Sequence, residues 1–246
     1  MPRFKLILEY DGTPFVGWQR QANGLAVQQV LEEALGVIDG GPVTIRGAGR
    51  TDSGVHATGQ VAHADLAKEW DPYLLREAVN ARMRPHPVAV VLACPVDATF
   101  DARHSAVKRH YLYKLCNRRA PLTLEAERAW LMKRKLDAGA MHEAAQILVG
   151  RHDFSTFRDA ECQADSPVRT LERFEVMKDG DLILMRVTAR SFLHRQVRSM
   201  VGSLEHVGAG RWRKADLRDA LEAKDRRRCG QVAPAAGLYL VGVDYG

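Results

Sequence analysis

Residues 43–66 read VTIRGAGRTDSGVHATGQVAHADL, a stretch in which two strand candidates, near 43–48 and 59–66, flank a loop with glycines at positions 47, 49 and 54. Short apolar runs that are bounded by glycine are typical of β-strands. Glycine lets the backbone turn sharply and lets a ligand approach closely. We therefore expect two strands joined by a loop that presents its polar residues at a surface.

The elements on either side of this stretch predict a sheet with two helices. Alternating apolar residues near the N-terminus predict a strand that ends at the turn Asp11-Gly12. Apolar residues from Val27 to Ile38 recur at helical spacing, and Gly40-Gly41 ends that helix. After the loop, a helix near 72–82 precedes the β-branched run Val88 to Val91. The first half thus has the order βαββαβ.

The same order recurs after residue 107. A strand near 108–116 and a helix near 137–149 precede a hairpin of strands 171–177 and 182–188. The dipeptide Asp179-Gly180 predicts a type I′ turn in that hairpin. Helices near 195–207 and 215–223 and a strand at 238–243 complete the chain. Two split βαβ halves predict an α+β protein, and we expect domains at 1–104 and 105–246.

The charge of the chain predicts a polyanionic partner. The net charge is +6 and the isoelectric point is near 9.3. Two basic stretches without acidic residues, Arg103–Arg119 and Arg186–Arg198, contain aromatic residues. Basic side chains neutralise phosphates and aromatic rings stack on unpaired bases, so this combination favours RNA. The alternative, a solvated face of a strand or helix, stays open at this point.

The sequence also limits the compartment and the chemistry. No apolar run reaches the roughly 20 residues of a membrane span, and MPRFKLILEY does not resemble a signal peptide. We therefore expect a cytoplasmic protein without a membrane association. The four cysteines are widely separated and form no CxxC motif, which predicts unpaired thiols and neither a metal knuckle nor a disulfide framework.

The chemistry is expected in the loop GAGRTDSGVH, residues 47–56. We expect Asp52 to be a surface carboxylate with Arg50 two residues away, and a neighbouring guanidinium favours the ionised carboxylate that a nucleophile needs. The dinucleotide fingerprint GxGxxG fails, because its sixth position is Asp52. A triad of neighbours with Ser53 and His56 is disfavoured, and a metal site lacks further ligands. A purely structural aspartate turn remains open.

The longer stretch GAGRTDSGVHATGQV closely resembles the signature of the bacterial tRNA pseudouridine synthase A family. Further blocks resemble that family in the same order along the chain. They are LEYDGTPFVGWQRQ at 8–21, TFDARHSAVKRHYLY at 99–113, FSTFR at 154–158, CQADSPVRT at 162–170, FLHRQVRSMVGSL at 192–204 and GLYLVGVDY at 237–245. Together these blocks span almost the whole chain.

The resemblance implies a role for five residues. Asp52 takes the place of the catalytic aspartate, and Arg50 that of the arginine that helps to extrude the target nucleotide. Tyr111 matches the tyrosine that stacks on the flipped uracil, Arg198 the basic residue that pairs with the aspartate, and Leu238 an apolar residue of the pocket. Without the resemblance, Tyr111 and Leu238 would be interpreted as core residues and Arg198 as a solvated charge. For Trp18, packing is favoured over a contact with RNA.

The resemblance also implies the substrate and the architecture. The expected reaction converts uridines 38, 39 and 40 of the tRNA anticodon stem-loop to pseudouridine, without a cofactor or a metal. The two halves are expected to form one continuous, mainly antiparallel sheet with helices on one face and a basic central cleft, in a homodimer. Ser53 and Ser199 depart from the family pattern, where alanine and asparagine are usual, and put only local hydrogen bonds in doubt.

Two other function classes remain open from the residues alone. One is a non-catalytic RNA-binding module. The other is a carboxylate-dependent nucleosidase or glycosidase, although hydrolysis of a glycosidic bond normally uses two acidic groups. Asp52 is the only obvious one here.

Overall fold

The computed structural model describes all residues from 1 to 246 and contains ten strands and five helices. The strands are β1 (Arg3–Tyr10), β2 (Ile45–Gly47), β3 (His56–Asp65), β4 (Val88–Val96), β5 (Ala106–Cys116), β6 (Trp130–Leu131), β7 (Gly150–Asp153), β8 (Val168–Asp179), β9 (Leu182–Ala189) and β10 (Leu238–Tyr245). The helices are α1 (Val27–Asp39), α2 (Pro72–Met83), α3 (Ala138–Ala145), α4 (Gln196–Gly208) and α5 (Lys214–Ala223). The expected α+β class is confirmed. No helix is both long and apolar enough to span a membrane.

The chain forms two compact units, of which the first contains Met1–Val107 and Tyr239–Gly246 and the second Lys108–Leu238. The first unit is not continuous in the sequence, because β10 returns to it and pairs in parallel with β3 through Tyr239 and Leu240. Sequence periodicity predicts that a segment is a strand but does not name its partner. A division into consecutive domains at 104 and 105 therefore does not show this return.

The first unit follows the predicted order βαββαβ. Its strand β1 lies between β3 and β4 and pairs antiparallel with both. The predicted alternation of β1 is confirmed, because Phe4, Leu6 and Leu8 are at most 2% exposed. One edge of β3 is shared, since β2 pairs with it near Ala64 and β10 near its first residues. This arrangement leaves the start of β3, where the glycine-rich loop enters, inside the sheet.

The helices of the first unit begin and end where the sequence predicts. Helix α1 ends at Asp39, and Gly40 follows in the left-handed conformation with φ 82°. Helix α2 begins after Asp71, whose side chain accepts a hydrogen bond from the Leu74 amide at 3.0 Å. The two helices pack against each other, and α2 also packs on β4.

The second unit contains an antiparallel sheet in the order β5, β9, β8, β7, with α3, α4 and α5 packed together. The two short strands β6 and β7 were not predicted.

The predicted type I′ turn between β8 and β9 is wrong: the two loop residues are Gly180 and Asp181, and only Gly180 has a positive φ, 56°. A positive φ at the first loop position alone is typical of a type II′ turn.

An ion pair at the first residue of β1 makes the stability of the first unit depend on pH. Arg3 donates two hydrogen bonds to Asp65, each 2.7 Å long, and these bonds hold the pKa of the Asp65 carboxyl below its ordinary value. Because the folded-state pKa is lowered, this stabilisation is present above the unfolded-state pKa, near 3.9, and is lost as the pH falls through the folded-state value. We expect R3M to return the pKa of Asp65 toward its ordinary value in an NMR titration. As a control, R46M should leave that pKa unchanged, and an unchanged pKa in R3M would contradict the assignment.

Candidate active site

The five site residues that the sequence predicts are distributed over both units. Asp52 and Arg50 lie in the first unit, and Tyr111, Arg198 and Leu238 lie in the second. Each unit therefore carries part of the predicted set.

The aspartate loop, Ala48–Val55, connects β2 to β3. Its start continues the strand pairing, because the buried Ala48 donates its amide to the Val61 carbonyl at 2.7 Å. Its end is a tight turn in which the Val55 amide donates to the Asp52 carbonyl at 3.1 Å. Between these anchors Arg50 is exposed and Asp52 is half-buried. Both side chains are therefore accessible to solvent.

A second segment, Asp11–Trp18, which we call the covering segment, binds the main chain of the aspartate loop. The Trp18 amide donates to the Thr51 carbonyl at 3.0 Å, and Gly17 and Asp52 form an isolated antiparallel bridge. Gly17 has a φ of 118°, and a Cβ there would lie 2.6 Å from the Thr51 carbonyl oxygen. Only glycine fits this approach. The main chain on both sides of Asp52 is thus bound to a second segment.

Two aromatic side chains of the motif regions are structural. Trp18 is 2% exposed, which confirms that it packs in the interior. His56, which is also 2% exposed, accepts the Gly12 amide on Nδ1 at 3.0 Å and stacks on Tyr239 with the ring centroids 4.7 Å apart. These contacts make His56 an anchor for the end of the loop and do not support a triad.

In the second unit, Tyr111 presents a partly accessible ring on β5. It is half-buried, whereas Tyr113, two residues further along the strand, is fully buried. The Phe192 ring contacts Tyr111 edge to face, with centroids 5.1 Å apart and planes at 89°. An aromatic ring that is partly accessible can stack on a base.

Arg198 lies in the first turn of α4 and is bound to the segment before β10. Its Nε donates to the Ala233 carbonyl at 2.8 Å, and the Ala233 amide donates back to the Arg198 carbonyl at 3.1 Å. The Tyr113 hydroxyl donates to the Pro234 carbonyl of the same segment at 2.9 Å. Leu238, the first residue of β10, is 6% exposed. The second unit thus fixes both Arg198 and the chain that leads to Leu238.

Some basic residues of the two basic stretches form ion pairs with acidic residues of the second unit. Lys108 lies 2.6 Å from a carboxylate oxygen of Glu172. Arg195 pairs with Asp159 at 3.0 Å. These two basic residues thus pair with acidic residues of the protein itself.

The two departures from the family pattern both make hydrogen bonds. The Ser53 hydroxyl donates to the Phe15 carbonyl at 3.1 Å, which adds a contact between the aspartate loop and the covering segment. The Ser199 hydroxyl accepts from the Arg226 guanidinium at 2.9 Å next to Arg198. Both serines thus make local hydrogen bonds next to Asp52 and Arg198.

One group of side chains in the second unit has the chemistry of a metal ligand set. Ligand atoms of Asp159, Glu161 and His194 lie within 4.8 Å of one another. The Asp159 carboxylate already accepts from the Arg195 guanidinium and from the Glu161 amide, so a cation would compete with an existing positive charge. This arrangement favours an ion-pair cluster around the buried Asp159, with Glu161 and Arg195 exposed. All four cysteines are free thiols, as predicted.

The covering segment is the part of this region that sequence reasoning missed. The segment appears in the sequence only as a run with a resemblance to a family block, and nothing in its own periodicity points to Asp52. Gly17 is the one local signal, because a glycine in an aromatic-rich loop suggests a close approach of two chains.

Comparisons with known proteins give a consistent result. A family model described as tRNA pseudouridine synthase matches residues 6–105 and 144–246. Three full-length relatives are each described as tRNA pseudouridine synthase A. The protein of Beijerinckia indica is 73% identical and the alignment covers 100% of this chain and 94% of the relative. Those of Methylocella silvestris and Afipia carboxidovorans are 67% and 60% identical, with 100% of this chain and 99% and 100% of the relative covered.

Among solved structures, a chain from a Cbf5-Nop10-Gar1 complex is similar with a TM-score of 0.36 and 12% identity. The similarity covers 82% of this chain and 45% of that chain. A likeness at this level carries no argument about fold or function.

Proposed function

The chain belongs to the tRNA pseudouridine synthase family and is an isomerase that makes pseudouridine in tRNA, and we propose that it acts on uridines 38, 39 and 40 of the anticodon stem-loop with Asp52 as nucleophile. One observation carries the role of Asp52. This carboxylate is half-buried but accessible, beside an exposed arginine, in a loop whose main chain is bound on both sides. Neither a non-catalytic RNA-binding module nor a hydrolase fits the family membership.

The reaction explains why a single held carboxylate is sufficient. The bond between uracil N1 and ribose C1′ breaks, a bond between uracil C5 and C1′ forms, and C5 gives up a proton while N1 gains one. Nothing is oxidised or reduced, so the isomerisation consumes no co-reactant. Asp52 attacks either uracil C6 or ribose C1′, and in both routes it must be ionised and in contact with the nucleotide.

The target base must leave its stack before Asp52 can reach it. This step costs a few kcal/mol of unpairing and unstacking. We assign Arg50 to this step, because it is exposed two residues before Asp52 and is long enough to occupy the space that the nucleotide vacates. From the family resemblance we assign Tyr111 to stacking on the uracil, Arg198 to the basic partner of the carboxylate and Leu238 to the apolar lining.

Two further properties follow from the family resemblance. We propose that the protein acts in the cytoplasm, where tRNA is modified, and that it works as a homodimer. A measurement of the molecular mass in solution at several concentrations tests the dimer, and a monomer at micromolar concentration would contradict it.

The proposed positions are tested with tRNA transcripts that keep a uridine at only one of positions 38, 39 and 40. We expect pseudouridine at each of the three positions and none in a transcript in which all three are cytidine. The readout is chemical mapping of pseudouridine after incubation with the purified protein. Pseudouridine at another position in the triple cytidine transcript would contradict the proposed specificity but would leave the reaction unchanged.

A further inference from the structure

Three buried polar side chains form a chain of hydrogen-bond contacts with the aspartate loop. Gln60 Nε2 donates to the Gly49 carbonyl at 2.8 Å and lies 3.5 Å from the Tyr10 hydroxyl. The Tyr10 hydroxyl is 2.9 Å from the Thr51 hydroxyl. Gln60, Tyr10 and Thr51 are 0%, 4% and 7% exposed. The chain of contacts therefore begins on β3, passes through the end of β1 and ends next to Asp52.

The two loop residues that this chain of contacts binds alternate with two residues whose side chains are accessible to solvent. Gln60 binds the Gly49 carbonyl and Tyr10 contacts the Thr51 hydroxyl, whereas Arg50 is exposed and Asp52 is half-buried. Fixing the residues on both sides of Arg50, and the residue before Asp52, limits the directions in which both functional side chains can point. A reacting group that is misplaced by about 1 Å loses as much as roughly 100-fold in rate.

The Tyr10 hydroxyl is protonated and can therefore donate a hydrogen bond to Thr51. Burial raises the pKa of the Tyr10 hydroxyl to about 12. The hydroxyl thus keeps its proton at neutral pH. If Gln60 donates to the Tyr10 oxygen, the Tyr10 proton is directed to Thr51, and every contact in the chain has a donor and an acceptor.

Folding alone does not require polar side chains at positions 10, 51 and 60. An apolar replacement of a buried hydrogen-bonded pair with the same shape is often nearly neutral for stability, whereas a half-satisfied pair is costly. Gln60 lies in β3 next to the buried apolar residues Val61 and Ala62, and His56 and His63 are the other buried polar residues of that strand. A buried amide in such a strand has a clear use here, which is its bond to the Gly49 carbonyl.

We propose that Tyr10, Thr51 and Gln60 are positioning residues of pseudouridine formation, which hold the main chain of the aspartate loop so that Asp52 meets the flipped uridine in one orientation. The inference rests on the proposed role of Asp52. The three residues act through the loop and do not touch the substrate. Their loss should therefore lower the rate of the chemical step and leave the affinity for tRNA unchanged.

A matched pair of variants at Thr51 separates the hydroxyl from the shape of the side chain. T51V keeps the branched shape and removes the hydroxyl, and T51S keeps the hydroxyl and removes a methyl group. In single-turnover assays with excess enzyme, we expect T51V to react roughly 10- to 100-fold more slowly at an unchanged tRNA Kd. We expect T51S to keep most of the rate. Equal rates in T51V and T51S, or a loss that lies wholly in Kd, would overturn the inference.

Tyr10 provides a second variant if T51V does not fold. Y10F keeps the ring that packs near Trp18, at a centroid distance of 6.2 Å, and removes the hydroxyl. Its rate should fall into the same range as that of T51V, and the double variant should be little slower than either single one, because both remove the same contact. Effects that multiply fully would show independent roles and would overturn the inference.

Two controls keep this test separate from the role of Asp52. Y245F removes a hydroxyl in the same unit that donates to the Ala102 carbonyl at 2.8 Å and not to the aspartate loop, and should keep the wild-type rate. D52N is assayed in parallel. If D52N stays active, the proposed role of Asp52 fails. If D52N is inactive while T51V and Y10F keep the full rate, only the positioning inference fails.

Discussion

Replacement of Asp52 by asparagine is expected to lower the rate of pseudouridine formation by roughly 1,000-fold or more, because removal of a nucleophile costs at least this much in enzymes that depend on one. Asparagine has the shape of aspartate but no negative charge, and an amide does not attack carbon at neutral pH. The main-chain contacts of the loop, which bind Asp52 through the Gly17 bridge and the Val55 amide, do not depend on the side chain. The loop should therefore keep its form.

The measurement is a single-turnover assay on tRNA combined with a binding assay. We expect D52N to bind tRNA within about twofold of the wild-type affinity, because phosphate contacts dominate nucleic-acid affinity and Asp52 makes none. S53A is the matched control, since it alters the next residue and removes one hydrogen bond to Phe15. It should retain most of the rate. Pseudouridine formation by D52N at the wild-type rate would refute the role of Asp52, and release of free uracil by the wild type would indicate a hydrolase.

The elements that the sequence predicts correctly are those with a strong local period. Strand β1 alternates because one of its faces is buried, and α1 has an apolar face that ends at a glycine. Both patterns need only a few neighbouring residues to be recognised. The short strands β6 and β7 are different, since two and four residues are too few for a period.

Contacts between distant segments could not be predicted in the same way. The sequence predicts β10 as a strand, but its pairing with β3 joins residues about 180 positions apart, and no local pattern specifies that partner. The hairpin at Gly180 shows a smaller error of the same kind. An Asp-Gly pair suits a type I′ turn, but the register of β8 and β9 places the glycine first in the loop.

The same difference between local patterns and contacts of distant segments applies to the candidate site. Spacing and charge lead to an accessible carboxylate in a glycine loop, and the ordered family blocks supply its role. Neither leads to the groups that hold it. The covering segment reaches Asp52 from more than thirty residues earlier in the chain, and Gln60 reaches Gly49 from the neighbouring strand. A buried glutamine in a strand is the one sequence signal for such support, and it is visible only when the strand is known to be buried.

The second large effect is expected for Gly202 in the middle of α4. In an unobstructed helix, alanine in place of glycine stabilises by roughly 1 kcal/mol. Here an added Cβ would lie 1.7 Å from the Gln231 carbonyl oxygen and 2.8 Å from its carbon. These are main-chain atoms, so no side-chain rotation relieves the overlap. We expect G202A to lower the free energy of unfolding by about 3 kcal/mol, as overpacking does in well-packed cores.

The same displacement should reach the functional residues of the second unit. The segment that must move includes Ala233, which exchanges two hydrogen bonds with Arg198. We therefore expect G202A to lose activity even where it remains folded. Urea denaturation gives the change in stability, and single-turnover assays below the transition give the change in rate. The control is G41A, where the added Cβ has open space and the backbone conformation is ordinary, so its stability and rate should stay near those of the wild type. A G202A protein as stable and active as the wild type would show that α4 does not pack on the 231–233 segment as the structure has it, and the anchoring of Arg198 would then need another explanation.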